Sequence, residues 1–498
     1  MEINSFAPFL AMAVPLLGVA LIYAARNSPN VREGCSLGAA SIQFLVVLTM
    51  VPAVLAGNTL HFTLFPFLPQ VSIALRVDAL GILLALVASF LWLLTVVYSI
   101  GYMRALGESH QTRFFACFAI TLAATMGIAF SANLLTMYVF YEILTFVTYP
   151  LVTHEGTREA VAAGRRYLFY HLGASLVFMM PAVFLTYIIS GTFDFQSGGV
   201  FAAGAGGAVL VIVYFMFLAG AAKAALMPLH GWLPNAMVAP VPVSALLHAV
   251  AVVNVGVFVI LRVILDVFGP ELMGELNLGF VTAIIASFTI LVASFYAFTV
   301  DNIKGILAYS TIGQLSYMVL GVSLLSPESM TGGIIHIANH AFGKITLFFC
   351  AGSIYVAART LKVSEMGGIA RLMPWTAGAF AVGAVSIVGI PPTAGFITKW
   401  YLFIGTIQAG QIAFFFVLLI STLLSAAYYL RVFRMIFLGS SEESSEEPSE
   451  PAKDSSSKGS VKEGAFFIVF PLALCAAISI GLGIYPNFLL ELARLAIP

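Results

Sequence analysis

The stretch AGAFAVGAVSIVGI, residues 377–390, decides the fold class. It has no charged residue and no alternation of polar and apolar positions. A membrane β-strand alternates lipid-facing with lumen-facing residues, so this run predicts a helix. The whole chain has the same character, because 61% of its 498 residues are hydrophobic and only 9% are charged. A soluble domain carries roughly 25% charged residues. We therefore expect an all-α polytopic membrane protein, since helices satisfy their own backbone in lipid.

Apolar segments of about 20 residues are long enough to span a bilayer, and we count fourteen of them. They lie near residues 6–25, 35–55, 78–103, 113–131, 133–153, 165–190, 205–228, 242–266, 278–300, 304–325, 331–358, 374–405, 411–438 and 464–490. Helices 7 and 12 have proline-rich breaks, because proline removes a backbone donor. The break prolines are Pro228, Pro234, Pro391 and Pro392. Two broken helices indicate a transport pathway and an internal repeat, although ordinary loops are an alternative.

The distribution of basic residues predicts the topology. With fourteen helices both termini share a side, and sixteen of the 22 lysines and arginines fall in loops on the opposite side. Arg76, Arg262 and Arg494 lie on the side of the termini. Since cytoplasmic loops are enriched in basic residues, we expect the termini outside. The Ser-, Glu- and Lys-rich segment 439–463 is then expected to be a disordered cytoplasmic loop.

Several classes of function find no support in the composition. The formal net charge is zero, so nothing indicates nucleic-acid binding. The four cysteines are isolated, and the chain has no cofactor fingerprint. We therefore expect no metal, no cofactor and no redox catalysis by this chain itself.

Four residues are charged where charge is costly: Glu142, Lys223, Lys344 and Lys399. A charge at the bilayer centre costs roughly 2.5–3.5 kcal/mol on insertion scales. Glu142 in helix 5 and Lys223 in helix 7, just ahead of the break, are natural partners. Pairing keeps both groups charged, whereas burial alone would neutralise both. A pair whose separation can change would act as a proton switch, and a static ion pair that fixes helix packing is the alternative.

Helix 11 carries a stripe of titratable groups, His336, His340 and Lys344, which recur every four residues and so share one helix face. Histidine titrates near neutral pH, so the stripe is typical of a proton relay. A zinc site is the rival interpretation, but no carboxylate lies beside His336. Structural histidines with satisfied hydrogen bonds are a third possibility.

Two further residues are weaker candidates. Lys399 follows the helix 12 break and would either face the pathway or extend its amine to the membrane surface, as long side chains do near helix ends. His248 in helix 8 lies between Lys223 and helix 11 in chain order.

Four strings carry a resemblance to a known family: PLHGWLP (228–234), PVPVSALLH (240–248), HAFGK (340–344) and GIPPTAGF (389–396). They resemble signatures of the large proton-channel subunits shared by respiratory complex I, Mrp-type cation/proton antiporters and membrane-bound hydrogenases. The block YPLVTH (149–154) and the chain length look most like the D subunit of Mrp-type antiporters.

The resemblance implies a domain organisation. Helices 1–3 (residues 1–112) would precede two inverted five-helix repeats, helices 4–8 (113–266) and helices 9–13 (278–438), and helix 14 would lie in residues 464–498. Each repeat would contain a half-channel, and a central hydrophilic axis would join the two.

The resemblance also assigns proton-translocating roles by position. The matching residues are Glu142, Lys223, His248, His336, His340, Lys344 and Lys399. One departure is Asn254, where many relatives have a lysine in helix 8. Lys399 argues against one complex I subunit type, which has glutamate there.

We therefore expect proton translocation or cation/proton antiport by one subunit of a multisubunit complex in a prokaryotic cell membrane. The expected partners are other membrane subunits, the lipid bilayer and protons, with Na⁺ as a candidate counter-ion. An Mrp-type antiporter is the first expectation, and a complex I or hydrogenase subunit is the alternative. A non-conducting scaffold is the second alternative, although it has no reason to keep four costly charges.

Overall fold

The computed structural model describes residues 1–68, 71–202, 207–439 and 461–498. Within these ranges twelve helices are long and apolar enough to cross a membrane. They are α1 (Ala7–Ala24), α2 (Pro29–Leu55), α3 (Ala79–Leu106), α4 (Gln111–Ala129), α5 (Leu134–Val152), α6 (Arg158–Ser190), α8 (Val241–Phe268), α9 (Leu278–Thr299), α10 (Ile303–Ser323), α11 (Pro327–Ala358), α13 (Ile412–Leu438) and α14 (Phe466–Ile484). The two remaining predicted spans, α7 and α12, are the two in which the sequence predicts a break.

The described part of the first broken helix, α7, is continuous over fourteen residues, Gly207–Gly220. A single 3₁₀ turn, Ala222–Ala224, and a short helix, Trp232–Asn235, follow it. The break therefore begins earlier than the prolines indicate, and Lys223 lies within it, not ahead of it. The physical reason is Gly220, which packs so closely on Met179 that a Cβ would stand 2.6 Å from the Met179 Cβ. The helix ends at this close contact between Gly220 and Met179, eight residues before Pro228.

The second broken helix, α12, has two halves, Pro374–Val388 and Ala394–Gln408. The first half ends at Gly389, whose φ of +85° is left-handed and favours glycine. Pro391 and Pro392 lie in the linker between the halves, as predicted.

The chain also forms a small sheet that the sequence analysis did not foresee. Its strands are β1 (Glu2–Asn4), β2 (Thr59–Leu68) and β3 (Val71–Val77), in the order β1–β2–β3. β1 runs parallel to β2, with Ile3 opposite Leu60, and β2 is antiparallel to β3. The sheet fixes the first residues of the chain beside the connection between α2 and α3.

Both termini lie at one face of the helix bundle. Thr59 N donates to Met1 O, and Thr59 lines the same small cavity as Arg76, Asp78 and the C-terminal residues Leu495–Ile497. At the opposite face, Arg32 in α2 binds Gln111 at the start of α4. We call this opposite end the arginine-rich face. The shared side of the termini agrees with the predicted parity.

The segments α4–α8 and α9–α13 have the same succession of elements. Each contains three continuous helices, then a broken helix, then a continuous one. That succession is what two five-helix repeats require, and their inverted relation and bounds remain a prediction. The predicted cytoplasmic loop 439–463 lies almost wholly outside the described residues, because residues 440–460 are not among them.

The helices differ in how far they are buried. α8 is enclosed along its whole apolar stretch and α10 along most of it, whereas α1, α6, α13 and α14 are largely exposed. An apolar helix that is exposed on one side faces lipid or a partner. The enclosed α8 and α10, together with α11, therefore form the centre of the bundle, and His248, His336, His340 and Lys344 lie on α8 and α11.

Candidate functional site

The three lysines predicted to carry protons share one pattern of contacts. Each is at most 4% exposed, and each amine donates to one backbone carbonyl and one hydroxyl. The acceptors are Tyr141 O (3.2 Å) and Thr145 Oγ1 (2.6 Å) for Lys223, Leu307 O (3.2 Å) and Tyr429 OH (3.3 Å) for Lys344, and Val388 O (2.6 Å) and Thr422 Oγ1 (3.0 Å) for Lys399. Among the described residues none of the three forms a salt bridge. They are therefore buried amines with no carboxylate at hydrogen-bond distance in the described part of the chain.

The break of α7 positions Lys223 against α5. Its amine lies 3.2 Å from the centroid of the Tyr141 ring, which is a cation–π contact. Two aromatic side chains satisfy backbone groups freed by the break: Tyr141 donates to Gly220 O (3.3 Å) and Trp232 donates to Ala222 O (3.0 Å). An irregular backbone is tolerated at membrane depth only when its polar groups are satisfied in this way.

Glu142 stands beside Lys223 without binding it. Lys223 contacts Tyr141 and Thr145, which lie on one face of α5, whereas Glu142 is turned about 100° away from Tyr141. Both carboxylate oxygens of Glu142 are buried and have no hydrogen-bond partner among the described residues. The geometry therefore does not support a static ion pair. Glu142 and Lys223 are neighbours that form no direct hydrogen bond or salt bridge with each other.

The α11 stripe is buried, with His336, His340 and Lys344 each at most 2% exposed. The His336 and His340 rings are 5.8 Å apart between centroids. His336 Nε2 lies 2.9 Å from Gln314 Oε1 in α10, whereas neither ring nitrogen of His340 has a partner in the described chain. Structural histidines would have satisfied hydrogen bonds, so His340 does not fit that alternative.

A chain of hydroxyl groups leads away from Lys344. Its amine donates to Tyr429, the Tyr429 hydroxyl lies 3.1 Å from Ser310 Oγ, and Tyr428 OH donates to Ser310 (2.9 Å). Hydroxyls both donate and accept, so such a chain can pass a proton by reorienting. This chain of hydroxyls depends on the contact between α10 and α13, which the sequence spacing does not predict.

Lys399 does not extend to the membrane surface. Its amine turns back to Val388 O at the end of the first half of α12, where a positive charge is favoured by the helix dipole. It also lies 5.3 Å from the centroid of the Tyr317 ring, and the Tyr317 ring lies 6.1 Å from that of His336. Tyr317 therefore connects Lys399 to the α11 stripe.

His248 lies in a π-helical segment of α8, Leu247–Ala251. It is fully buried, and its two ring nitrogens have no partner within the described residues. Its ring is 5.1 Å from that of Phe348, one turn after Lys344 on α11. π-helical bulges are frequent at functional sites, and this one aims His248 at α11. Asn254, the departure from the family pattern, donates to Ala249 O (2.8 Å).

Two buried groups escaped the sequence analysis. Lys304, at the first position of the predicted span 304–325 and counted among the sixteen basic residues of the loops, is buried, and its amine donates to Ala239 O (2.6 Å). The error arose because Lys304 is the second residue of α10, where a cation normally reaches water. His171 in α6 is fully buried and contacts Trp232 edge-on at 4.3 Å between centroids. It could have been noticed as a histidine in an apolar helix.

Lys304 lines a cavity of about 660 Å³ that opens at the arginine-rich face. Glu108, Glu155 and Glu159 line the same cavity, and so does Val241, the first residue of α8. His248 follows Val241 by about two helical turns. The cavity therefore leads from the arginine-rich face to the start of the central helix that carries His248.

Arg262 was also expected in a loop, on the side of the termini. It is buried in α8 and donates to Asp78 (2.6 Å) and Asp266 (2.8 Å). This buried ion-pair cluster ties α8 to the start of α3. The terminal nitrogens of Arg262 thus each pair with a carboxylate, whereas the three lysines have none at hydrogen-bond distance among the described residues.

The loop after α5 contains His154, part of the block that looks like an Mrp D subunit. Burial, followed by the charges of Arg113 and His110, lowers the pKa of His154 to about 4. His154 is therefore neutral at physiological pH and is not a candidate relay group.

Comparisons with known proteins agree with the fold and the motifs. The family described as "NADH:quinone oxidoreductase/Mrp antiporter, TM" matches residues 131–425, and the N-terminal region of complex I chain 5 matches residues 68–115. NADH-quinone oxidoreductase subunit N of Desulforudis audaxviator is 31% identical over 86% of both chains. A probable K⁺/H⁺ antiporter component of Rhizobium meliloti is 30% identical over 80% of this chain, which spans only 40% of that longer protein.

The same agreement extends to solved structures. A chain in the structure of the Mrp complex from Dietzia sp. DQ12-45-1b superposes with a TM-score of 0.86 and 25% identity, covering 99% of this chain and 97% of that one. The matched residues 131–425 include every candidate residue, from Glu142 to Lys399. The chain belongs to the NADH:quinone oxidoreductase/Mrp antiporter family of membrane proteins.

Proposed function

We propose that this chain translocates protons through the membrane as one subunit of a multisubunit complex. The pathway consists of Glu142, Lys223, His248, His340, His336, Lys344 and Lys399. The observation that carries the proposal is the shared environment of the three lysines, with one carbonyl, one hydroxyl and no carboxylate each among the described residues.

This environment suits an amine that gains and loses a proton. A carboxylate at hydrogen-bond distance would hold the lysine in its charged form. A carbonyl accepts a hydrogen bond from the ammonium and from the neutral amine alike. A hydroxyl accepts from the ammonium and donates to the neutral amine. Both protonation states therefore keep their hydrogen bonds.

The cavity at Lys304 provides access to the pathway from the arginine-rich face. Basic loops favour the cytoplasmic side, so this face is assigned to the cytoplasm and the termini to the outside. His248 lies between Lys223 and the α11 stripe, at the junction of the two repeats, and would receive a proton from this cavity.

Within the family, an Mrp-type antiporter of the D-subunit kind is the first assignment. The Mrp chain from Dietzia is matched nearly end to end, and the helix 12 position is lysine. The similarity to a complex I subunit N over 86% of both chains supports the alternative, a proton-pumping subunit of a quinone reductase. In either complex the driving reaction belongs to partner subunits.

The experiment that tests the function measures proton flux in proteoliposomes of the whole complex. Lys399→Ala should reduce flux at least about tenfold while the complex still assembles, because the variant removes a pathway amine. Lys362→Ala is the matched control, because Lys362 is a surface lysine whose side chain is 66% exposed. A scaffold subunit would give the opposite result, with impaired assembly or with normal flux in Lys399→Ala.

A further inference from the structure

We propose that the arginine-rich face contains a second site, which binds a phosphate-bearing anion, and that its occupant in the membrane is the headgroup of an anionic phospholipid. The site is a cavity of about 540 Å³ between the α1–α2 and α3–α4 connections. We call it the arginine pocket. Its lining includes Arg26, Arg32, Arg113, Tyr23 and Thr112.

The charge of the arginine pocket is positive. Its only described carboxylate is Glu108, against three guanidinium groups. Burial, and then the charge of Glu155, raises the pKa of Glu108. Arg26 forms no salt bridge among the described residues, and Arg113 donates to a neutral group, His154 O (3.1 Å). Within the described residues, the lining of the pocket therefore has three guanidinium groups and one carboxylate.

Arg32 provides the second observation that points to a ligand. It is only 6% exposed, and its terminal nitrogens donate to Gln111 (2.7 Å) and Thr112 (3.2 Å). Its Nε is buried and has no partner in the described chain. Arg32 forms a salt bridge of 3.8 Å with Glu33, whose two oxygens both accept hydrogen bonds from Arg104. A buried guanidinium with an orphaned donor lacks the acceptor that an anion supplies.

Two helix N-termini converge on the same pocket. Neither Ser28 at the start of α2 nor His110 at the start of α4 caps its helix through a side chain. Gln111, Thr112 and Arg113 form the first turn of α4 and line the pocket. First-turn amides have no intrahelical partner, and the helix dipole favours an anion there.

The surroundings favour a lipid over a free anion. Next to the pocket, the surfaces of α1 and α2 expose apolar side chains, among them Leu17, Leu21 and Val31. Tyr23, half exposed, lies at the boundary between these side chains and the pocket. A phospholipid would place its phosphate among the arginines and its acyl chains along this surface. Basic pockets on the cytoplasmic side of membrane proteins bind such headgroups.

The test uses the purified complex and native mass spectrometry with three probes: dioctanoyl phosphatidylglycerol, dioctanoyl phosphatidylcholine and inorganic phosphate. The wild-type chain should bind phosphatidylglycerol in preference to phosphatidylcholine. Arg26→Gln should weaken phosphatidylglycerol binding about fivefold, since a basic residue near the membrane surface contributes about 1 kcal/mol. Arg32→Gln should weaken it further.

Arg158→Gln is the matched control, because Arg158 is an exposed arginine on the same face that lines a different groove. The proposal is wrong if Arg26→Gln and Arg158→Gln bind phosphatidylglycerol equally. Equal binding of the two lipids also overturns it. If inorganic phosphate competes as well as phosphatidylglycerol, the lipid assignment fails. If Arg26→Cys cross-links to an acidic segment of another protein in the complex, the occupant of the arginine pocket is a protein and the lipid proposal is wrong. None of these outcomes depends on proton transport.

Discussion

At the scale of single residues, the central feature is the contrast between two kinds of buried cation. Arg262 pairs with two aspartates, whereas the hydrogen-bond acceptors of Lys223, Lys344 and Lys399 within the described chain are carbonyls and hydroxyls. Arginine holds its proton at any accessible pH and lysine does not. Under the proposed function, arginine is used where a permanent charge is paired, and lysine where the charge has to change.

The Glu142 and Lys223 pair gives the first prediction. Glu142→Gln and Lys223→Ala should each nearly abolish proton flux while assembly persists. The double variant should be no worse than either single one, because both changes disable one switch. Flux in proteoliposomes of the whole complex is the measurement. Normal flux in Glu142→Gln would leave this carboxylate with a structural role only.

The hydroxyl chain at Lys344 gives the second prediction. Tyr429→Phe removes the hydroxyl that Lys344 shares with Ser310, so flux should fall severalfold while the fold is kept. Tyr485→Phe is the control, since Tyr485 is 69% exposed and lies after α14. Equal flux in the two variants would remove Tyr429 from the pathway.

At the scale of elements, the two broken helices show how far a sequence can be read. The break in α12 is predicted by Gly389, Pro391 and Pro392. In the structure it lies between Val388 and Ala394. The end of α7 at Gly220 depends on close packing against Met179 in α6, and such a contact between distant residues leaves no local signal. The same limit explains Lys304, because only the approach of the α7–α8 connection shows that its amine is buried.

The break in α12 gives the third prediction. Gly389→Ala places a side chain at φ +85°, and its Cβ would stand 2.6 Å from the Lys399 Cδ. A strained backbone of this kind costs about 1–3 kcal/mol, and relief would displace the Lys399 amine from Val388. Gly378→Ala in the same helix is the control, because a Cβ there meets nothing within 4 Å. Thermal stability and flux should fall in the first variant only, and equal behaviour of the two would contradict this.

At the scale of the whole molecule, composition and periodicity predict the helical membrane fold and the two spans that are broken. They do not predict the sheet of β1, β2 and β3. β1 has three residues, and α1 and α2 separate it in the sequence from β2, its partner. That Lys344 is buried on the same helix as His340 was predictable from their spacing. Its partners, Leu307 and Tyr429, come from other helices and were not.

Topology gives the fourth prediction. In a cysteine-free background, Ala56→Cys at the face of the termini should react with a membrane-impermeant thiol reagent from outside. Ser109→Cys at the arginine-rich face should react only from the cytoplasmic side. Both positions are exposed. The reverse pattern would invert the assigned orientation.

The claim that the buried lysines exchange their protons is tested most directly at Lys344. Arginine at this position keeps the positive charge but cannot release a proton, whereas alanine removes both. Proton flux should be measured for Lys344→Arg and Lys344→Ala in proteoliposomes of the whole complex, with its polypeptide content checked in each. We predict that Lys344→Arg loses nearly as much flux as Lys344→Ala. Full flux in Lys344→Arg would show that a fixed charge is sufficient and would contradict the proton relay.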